Sequence, residues 1–304
     1  MIAEVLAAAG VRQAEWSSLP GATFNTAYRV RPPGLVVKVS PPPDAPALTY
    51  ERGLLRTEAL FCETAAAAVP VPRVVHTDFS GRLVDGDVLV MTELPGDSWA
   101  ARRVPPAERP ALRTELGGLV ARLHRITGAG FGYPRKLSPS WRAAFTAMLD
   151  AVLADAERFA AALPAPLDHI RTTLMARTGV LSEVRTPVLV HFDLWPGNIL
   201  LGDSGITGFV DGERAFWGDP LADLVSTALF GDVERDAGFV RGYREAGGEL
   251  VFDDAARVRL ALYRSYLYLI MLVETVPRGG GAPATIQLAA AHLRRALTFL
   301  GRSS

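Results

Sequence analysis

The stretch that decides the fold reads Val190-His-Phe-Asp-Leu-Trp-Pro-Gly-Asn-Ile-Leu-Leu201, followed shortly by Gly208-Phe-Val-Asp-Gly-Glu213. Asp193 stands five residues before Asn198 in a loop between apolar runs, and Asp211 ends the next run. The runs predict short strands over 187–191, 199–201 and 206–210. A hairpin of the last two would carry the polar side chains toward one edge. Phosphoryl transfer uses such a set: a carboxylate to orient an acceptor hydroxyl and take its proton, and oxygen ligands that hold Mg²⁺ against phosphates. Magnesium takes few protein carboxylates, because phosphate oxygens and water complete its octahedron, and Asp211 with Asn198 meets that demand. The competing account is that Asp193 and Asn198 cap turns beside Pro196-Gly197.

Working outward, the first third alternates strands and turns. Strands are expected over 27–31, 35–40, 73–77 and 87–92, with a helix over about 50–68. Pro41-Pro-Pro43 cannot continue a ladder, since proline lacks the donor. After Leu94-Pro-Gly96 the pattern turns helical, over 107–126, 141–162, 167–177 and most of the chain from 221. That change places a division between a first lobe over 1–95 and a second over 96–304, an α+β arrangement. In the first lobe, alternation puts Lys38 on one face with Val36 and Ser40. A cation there suits the α and β phosphates of a nucleotide, steadied by a glutamate on the following helix. Glu51, Glu58 and Glu63 are the candidate partners; a snorkelling edge-strand lysine is the bland alternative. Among 32 basic residues only Lys38 and Lys136 are lysines, which makes a lysine in an apolar strand conspicuous.

His191-x-Asp193-x-x-x-x-Asn198 and Asp211 resemble the catalytic loop and metal-binding aspartate shared by protein kinases and aminoglycoside phosphotransferases. Gly218-Asp-Pro-Leu-Ala-Asp223 resembles the helix-opening segment of the antibiotic phosphotransferase branch. The resemblance runs in order from about Gly21 to Leu224 and weakens in the C-terminal helices. It implies a protein-kinase-like fold: a small N-terminal antiparallel sheet with one long helix that binds ATP or GTP, and a larger, mainly helical catalytic and substrate lobe. Carried over residue by residue, it implies Asp193 as catalytic base, Asn198 and Asp211 as Mg²⁺ ligands, and Lys38 with Glu58 at the phosphates. Gly21, Thr23 and Asn25 fall in the phosphate-covering loop, the backbone of Thr92, Glu93 and Leu94 at the purine edge, and His191, Asp219 and Asp223 in structural support. Departures from the pattern are Phe192 for a small glycine, Trp195 for a histidine and Gly212 for an aromatic residue.

Phe192, Trp195, Phe216 and Trp217 are expected to crowd the acceptor pocket, with Trp195, Glu213 and Trp217 as candidates to touch the acceptor. The expected function is transfer of a γ-phosphoryl group to a hydroxyl of an antibiotic, in resistance or self-protection. The rings lean the acceptor toward a nucleoside-type drug, while Glu213, Glu234 and Glu274 keep an aminoglycoside open. The alternatives are a metabolic kinase for choline, homoserine or a sugar, and a catalytically dead pseudokinase. Lys38, Asp193, Asn198 and Asp211 together count against the last.

With 32 basic and 32 acidic residues the formal charge is zero, so neither nucleic acid nor an anionic membrane is expected as partner. A lone cysteine, Cys62, fits a reducing cytoplasm and a helix-packing role. The opening Met-Ile-Ala-Glu has no basic n-region and Glu4 interrupts its apolar stretch, so no export signal is expected. The longest apolar run, Ser265 to Val273, is far short of the roughly 20 residues of a membrane span and reads as a core helix. His124 and His169 show no metal-site spacing.

Overall fold

A computed structural model describes residues 1–21 and 23–302. In chain order the helices and strands are α1 (Ile2–Ala8), β1 (Glu15–Ser18), β2 (Thr26–Arg31), β3 (Leu35–Val39), α2 (Leu54–Ala65), β4 (Val74–Asp78), β5 (Val88–Thr92), β6 (Asp97–Ser98), α3 (Arg109–Leu123), α4 (Trp141–Arg158), α5 (Leu167–Met175), β7 (Val188–Val190), β8 (Ile199–Gly202), β9 (Gly205–Phe209), β10 (Phe216–Gly218), α6 (Leu221–Thr227), α7 (Ala237–Glu245), α8 (Asp254–Val273) and α9 (Pro283–Arg302). Backbone contacts sort the chain into two compact units. The first is Met1–Pro46, Arg52–Val104 and Pro196–Ala215; the second is Ala47–Glu51, Pro105–Trp195 and Phe216–Ser304. The contact division differs from the sequence division at 95 and 96 in three places: residues 96–104 and the β8–β9 hairpin group with the first unit, and residues 47–51 with the second.

The first unit is built on an antiparallel sheet of order β1-β2-β3-β5-β4. Strand alternation gives it two apolar faces. Val30, Leu35, Val37, Val39, Val88 and Val90 pack with Ile2, Val5 and Leu6 of α1 on one side, and Leu89 and Met91 pack with Leu55 and Ala59 of α2 on the other. Lys38 lies between Val37 and Val39 in sequence and therefore points to the α2 face. Gly53, left-handed at φ 78°, starts α2 later than the periodicity predicts, and residues Thr49–Glu51 form a separate 3-10 turn. Strand β1 is an edge strand exposed at all four residues, so it carries no period-2 signal and falls outside the strands expected from sequence. Cys62 is buried in α2, and burial pushes its thiol up to about 12, as expected of a packing cysteine.

The second unit is helical around an aromatic core. Trp141 and Phe145 of α4 meet Tyr263 of α8 at ring separations of 6.0 and 5.0 Å, and Phe216 stacks on Trp141 at 5.5 Å. The Trp141 indole N–H and the Tyr263 hydroxyl satisfy their polar atoms inside this cluster, the former donating to the latter at 2.7 Å. The apolar run from Ser265 to Val273 forms the buried second half of α8. Among the described residues no helix is long and apolar enough to cross a membrane.

Helices α3 and α7 touch backbone to backbone through glycines. A Cβ on Gly117 would overlap the Phe239 carbonyl oxygen, and one on Gly242 the Thr114 carbonyl oxygen, whereas a Cβ on Gly118 would meet only ordinary contacts at 3.7 and 3.9 Å. Alanine at Gly242 must push the helices apart, and overpacking of this kind costs about 1–3 kcal/mol. At Gly118 the same change lowers only the entropy of the unfolded chain and stabilises by about 0.4–1 kcal/mol. Urea denaturation of Gly242→Ala and Gly118→Ala should therefore move the midpoint in opposite directions.

Candidate active site

In the first unit, the side chain of Lys38 on β3 is almost fully buried, and a buried ammonium is tolerable only when paired. Its Nζ donates to both carboxylate oxygens of Glu58 on α2, at 2.6 and 2.8 Å, and to Asp211 Oδ1. Glu58 is thus the partner among the three glutamates weighed from sequence. Burial alone would lower the lysine pKa, but Asp211, Glu58 and Glu213 outweigh it and raise the value above that of an ordinary lysine. The carboxylates feel the converse. Burial raises Glu58 against the pull of Lys38, and pushes Glu213 to about 8, with Glu58 and Asp211 adding to the rise. Glu58 and Asp211 together outweigh the one ammonium and leave an excess of negative charge.

Asp211 is held in the left-handed region at φ 59°. Gly212 follows because a Cβ there would run into the Phe61 ring, which accounts for its standing where the resemblance leads one to expect an aromatic residue. Asn198 precedes β8, and Val210, next to Asp211, donates its N–H to the Asn198 carbonyl at 3.0 Å. The Ile199 to Phe209 register puts Asn198 and Asp211 at the same end of the hairpin. Their oxygens, within that negative field, fit a hard divalent cation whose other ligands are phosphate and water. No group of three or more His, Cys, Asp or Glu side chains among the described residues makes a stand-alone metal centre.

The loop between β1 and β2 is closed at its base by the Leu19 N–H to Ala27 carbonyl bond at 2.8 Å, and Gly21 turns it at φ 95°. Ala22 lies outside the described residues; Thr23 is exposed, and Asn25 is buried with its Nδ2 donating to Glu213 Oε2 at 2.7 Å. At the end of β5, the N–H groups of Thr92 and Glu93 are taken by the carbonyls of Arg73 and Gly34, each at 2.9 Å. The Glu93 carboxylate pairs with Arg29 at 2.8 Å and Arg31 at 2.9 Å, and the Leu94 side chain lies close to Gly208. Of the expected purine-binding backbone, two donors are therefore committed to the sheet.

In the second unit, the loop that carries Asp193 is fixed at each of its first four N–H groups. His191 and Phe192 donate to Asp223 at 3.0 and 2.6 Å, Asp193 donates to His191 Nδ1 at 3.2 Å, and Leu194 donates to Ser226 Oγ at 3.0 Å. Accepting at Nδ1 places the His191 ring proton on Nε2. Asp219 opens α6: its Oδ1 accepts from Leu221 at 3.0 Å and its Oδ2 from the Tyr263 hydroxyl at 2.7 Å. Burial raises its pKa, opposed by Arg259. Sequence reasoning missed His124, which is buried and bridges Asp223 at 3.0 Å and the Tyr243 hydroxyl at 2.8 Å. Its place in an apolar helical stretch gave no signal beyond that of a core histidine.

The rings require a correction. Phe192 and Phe216 are fully buried and pack together at 5.0 Å, with Phe192 against Tyr266 at 5.6 Å. They belong to the core and do not line an acceptor pocket. Phe192 nonetheless adopts φ 62°, a conformation that glycine takes without strain. Trp217 on β10 pairs with Leu189 of β7 and packs its ring on Gly128, while Trp195 is 38% exposed at the end of the loop.

Asp223 is the keystone of this loop, and Asp223→Ala would strand two backbone N–H groups and His124 in an apolar interior. The expected loss is about 3–5 kcal/mol of unfolding free energy. A urea titration showing less than about 1 kcal/mol, the size of an ordinary hydrogen bond, would contradict it.

The sequence matches the phosphotransferase enzyme family, APH, over residues 15–263. No curated protein matches it in sequence. Among solved structures, a provisionally assigned fructosamine-3-kinase from Thermobifida fusca aligns with a TM-score of 0.70 at 24% identity, over 97% of this chain and 98% of its own. A thermostable mutant of the aminoglycoside phosphotransferase APH(4)-Ia, in complex with ADP and hygromycin B, aligns at 0.63 and 18%, over 99% and 97%. The macrolide 2'-phosphotransferase MphH from Brachybacterium faecium aligns at 0.61 and 20%, over 96% and 97%. At such identities these structures speak for the fold, which is protein-kinase-like, and the match over 15–263 speaks for the family. The chain belongs to the phosphotransferase enzyme family, as an enzyme whose phosphoryl acceptor is an alcohol group.

Proposed function

We propose that the chain is a magnesium-dependent small-molecule kinase that moves the γ-phosphoryl group of ATP or GTP to a hydroxyl of an antibiotic. The observation that carries this reading is the buried Lys38 ammonium held by Glu58 and Asp211 in the same unit as Asn198. A fixed cation next to metal-ligating oxygens is what a polyphosphate requires. In this reading residues 1–95 bind the nucleotide and 96–304 carry catalysis and the acceptor. Lys38, steadied by Glu58, neutralises the α and β phosphates; Gly21, Thr23 and Asn25 cover them; Thr92 to Leu94 meet the purine. Asn198 and Asp211 hold Mg²⁺, which when bound neutralises charge on the transferring group. Asp193, its backbone fixed by Asp223 and His191, takes the acceptor's proton. The single buried cysteine is in keeping with work in the cytoplasm.

A second reading is favoured by the fructosamine-3-kinase likeness and by the burial of Phe192 and Phe216, which removes much of the ground for a nucleoside-type drug. It makes the acceptor a metabolite, of the sugar, choline or homoserine kind. Trp195, Trp217 and Glu213 remain the acceptor candidates under either reading.

Replacing the base should lower triphosphate-dependent transfer by at least about 10²-fold, the usual yield of general base catalysis, with the nucleotide dissociation constant little changed. Equal turnover by wild type and Asp193→Ala would remove the assignment. In a panel assay with ATP and with GTP, an antibiotic should give the highest kcat/KM. If a sugar amine, choline or homoserine outperforms every drug, the metabolic reading replaces the first.

A further inference from the structure

Asn25 is the one buried residue between Gly21 and Thr26, set among exposed and half-buried neighbours of the described loop. Its Nδ2 donates to Glu213 Oε2 at 2.7 Å, while its Oδ1 is buried with no hydrogen-bond partner among the described residues. An amide with one end unmade costs free energy that an apolar side chain of similar volume would not, so what Asn25 contributes is the bond to Glu213. The amide is oriented with its N–H group toward Glu213, whose carboxyl oxygen accepts. Glu213 is a firm anchor. It lies on the 3-10 turn Gly212–Arg214, which begins at left-handed Asp211 and is wedged by Gly212 against Phe61. The bond spans 188 positions of sequence and links this loop to the turn beside Asp211.

We propose that the Asn25–Glu213 hydrogen bond is a tether that holds the phosphate-covering loop to the turn carrying Asp211, making Glu213 a positioning residue for the donor's phosphates. The role rests on the kinase reading above and reassigns Glu213 from the acceptor. It is one of geometry: the carboxylate serves as an acceptor oxygen for Asn25, and loop and metal-side turn keep one spacing. A donor without phosphates gains nothing from it.

The test is a binding measurement on the full chain. Titrations with the fluorescent nucleotide mant-ATP plus Mg²⁺, and calorimetry with adenosine, compare wild type with Asn25→Ala, Asn25→Asp, Glu213→Ala, Glu213→Gln and the double alanine variant. Thermal melts identify any that fail to fold, in which case the near-isosteric Asn25→Asp and Glu213→Gln carry the comparison. The tether predicts that Asn25→Ala, Asn25→Asp and Glu213→Ala each weaken mant-ATP binding about tenfold, the loss of one hydrogen bond. The double variant should be no weaker than either single, because the two residues act as one link. Adenosine binding should stay within about twofold. Glu213→Gln should recover most of the affinity, since its amide oxygen still accepts from Asn25. Effects that multiply in the double variant, equal losses for adenosine and mant-ATP, or a Gln variant as weak as the Ala variant would each overturn the proposal. Wild type that binds mant-ATP yet transfers nothing to any acceptor would end the kinase reading and leave the tether to stand or fall on these constants; wild type that binds no mant-ATP ends both.

Discussion

One ammonium group buried among carboxylates organises the first unit. Lys38 satisfies its charge on Glu58 from α2 and on Asp211 from the far end of the β8–β9 hairpin, so three elements distant in sequence meet at one atom. Neither side of this arrangement is stable without the other: a buried cation demands anions, and anions gathered this closely raise one another's pKa. The pairing with Glu58 is complete in its own right. Asp211, whose side chain is 44% exposed, is the member of the cluster best placed to answer to something outside the protein.

The second unit solves a different problem, that of keeping the loop of Asp193 still. It does so from beneath, with Asp223 accepting from two successive backbone groups and Ser226 from a third, all on one short helix. The aromatic core adds the remaining restraint. Phe192, in a left-handed conformation unfavourable to any residue with a Cβ, is kept there by its N–H bond to Asp223 and by packing on Phe216 and Tyr266. Strain immediately before Asp193 is offset by burial of a whole ring.

Much of this was legible in the sequence wherever a local pattern carries the information. Strand alternation assigned Lys38 its face, the apolar runs gave β8 and β9 with Asn198 and Asp211 at their ends, and helical periodicity located α3, α4 and α5 to within a few residues. What escaped has a common physical cause: it depends on neighbours far apart in the chain. His124 looks like any core histidine until Asp223 and Tyr243 are placed beside it. Phe192, next to Asp193 in sequence, and Phe216 were read as pocket walls because composition cannot tell a ring facing a cavity from one facing the core. The edge strand β1 has no buried side and so no alternation to read. The commitment of the Thr92 and Glu93 N–H groups is a property of sheet register that no single stretch reveals.

The course of the chain has a bearing on how such an enzyme can be taken apart or recombined. The first unit is discontinuous: it loses residues Ala47–Glu51 to the second and takes back Pro196–Ala215 from late in the sequence. A cassette cut after Val104 would keep Lys38 with its Glu58 but leave Asp211, Asn198 and Glu213 behind. Exchanging the amino-terminal hundred residues between relatives would therefore transplant half of an electrostatic circuit, and a viable chimera must carry the distant hairpin along.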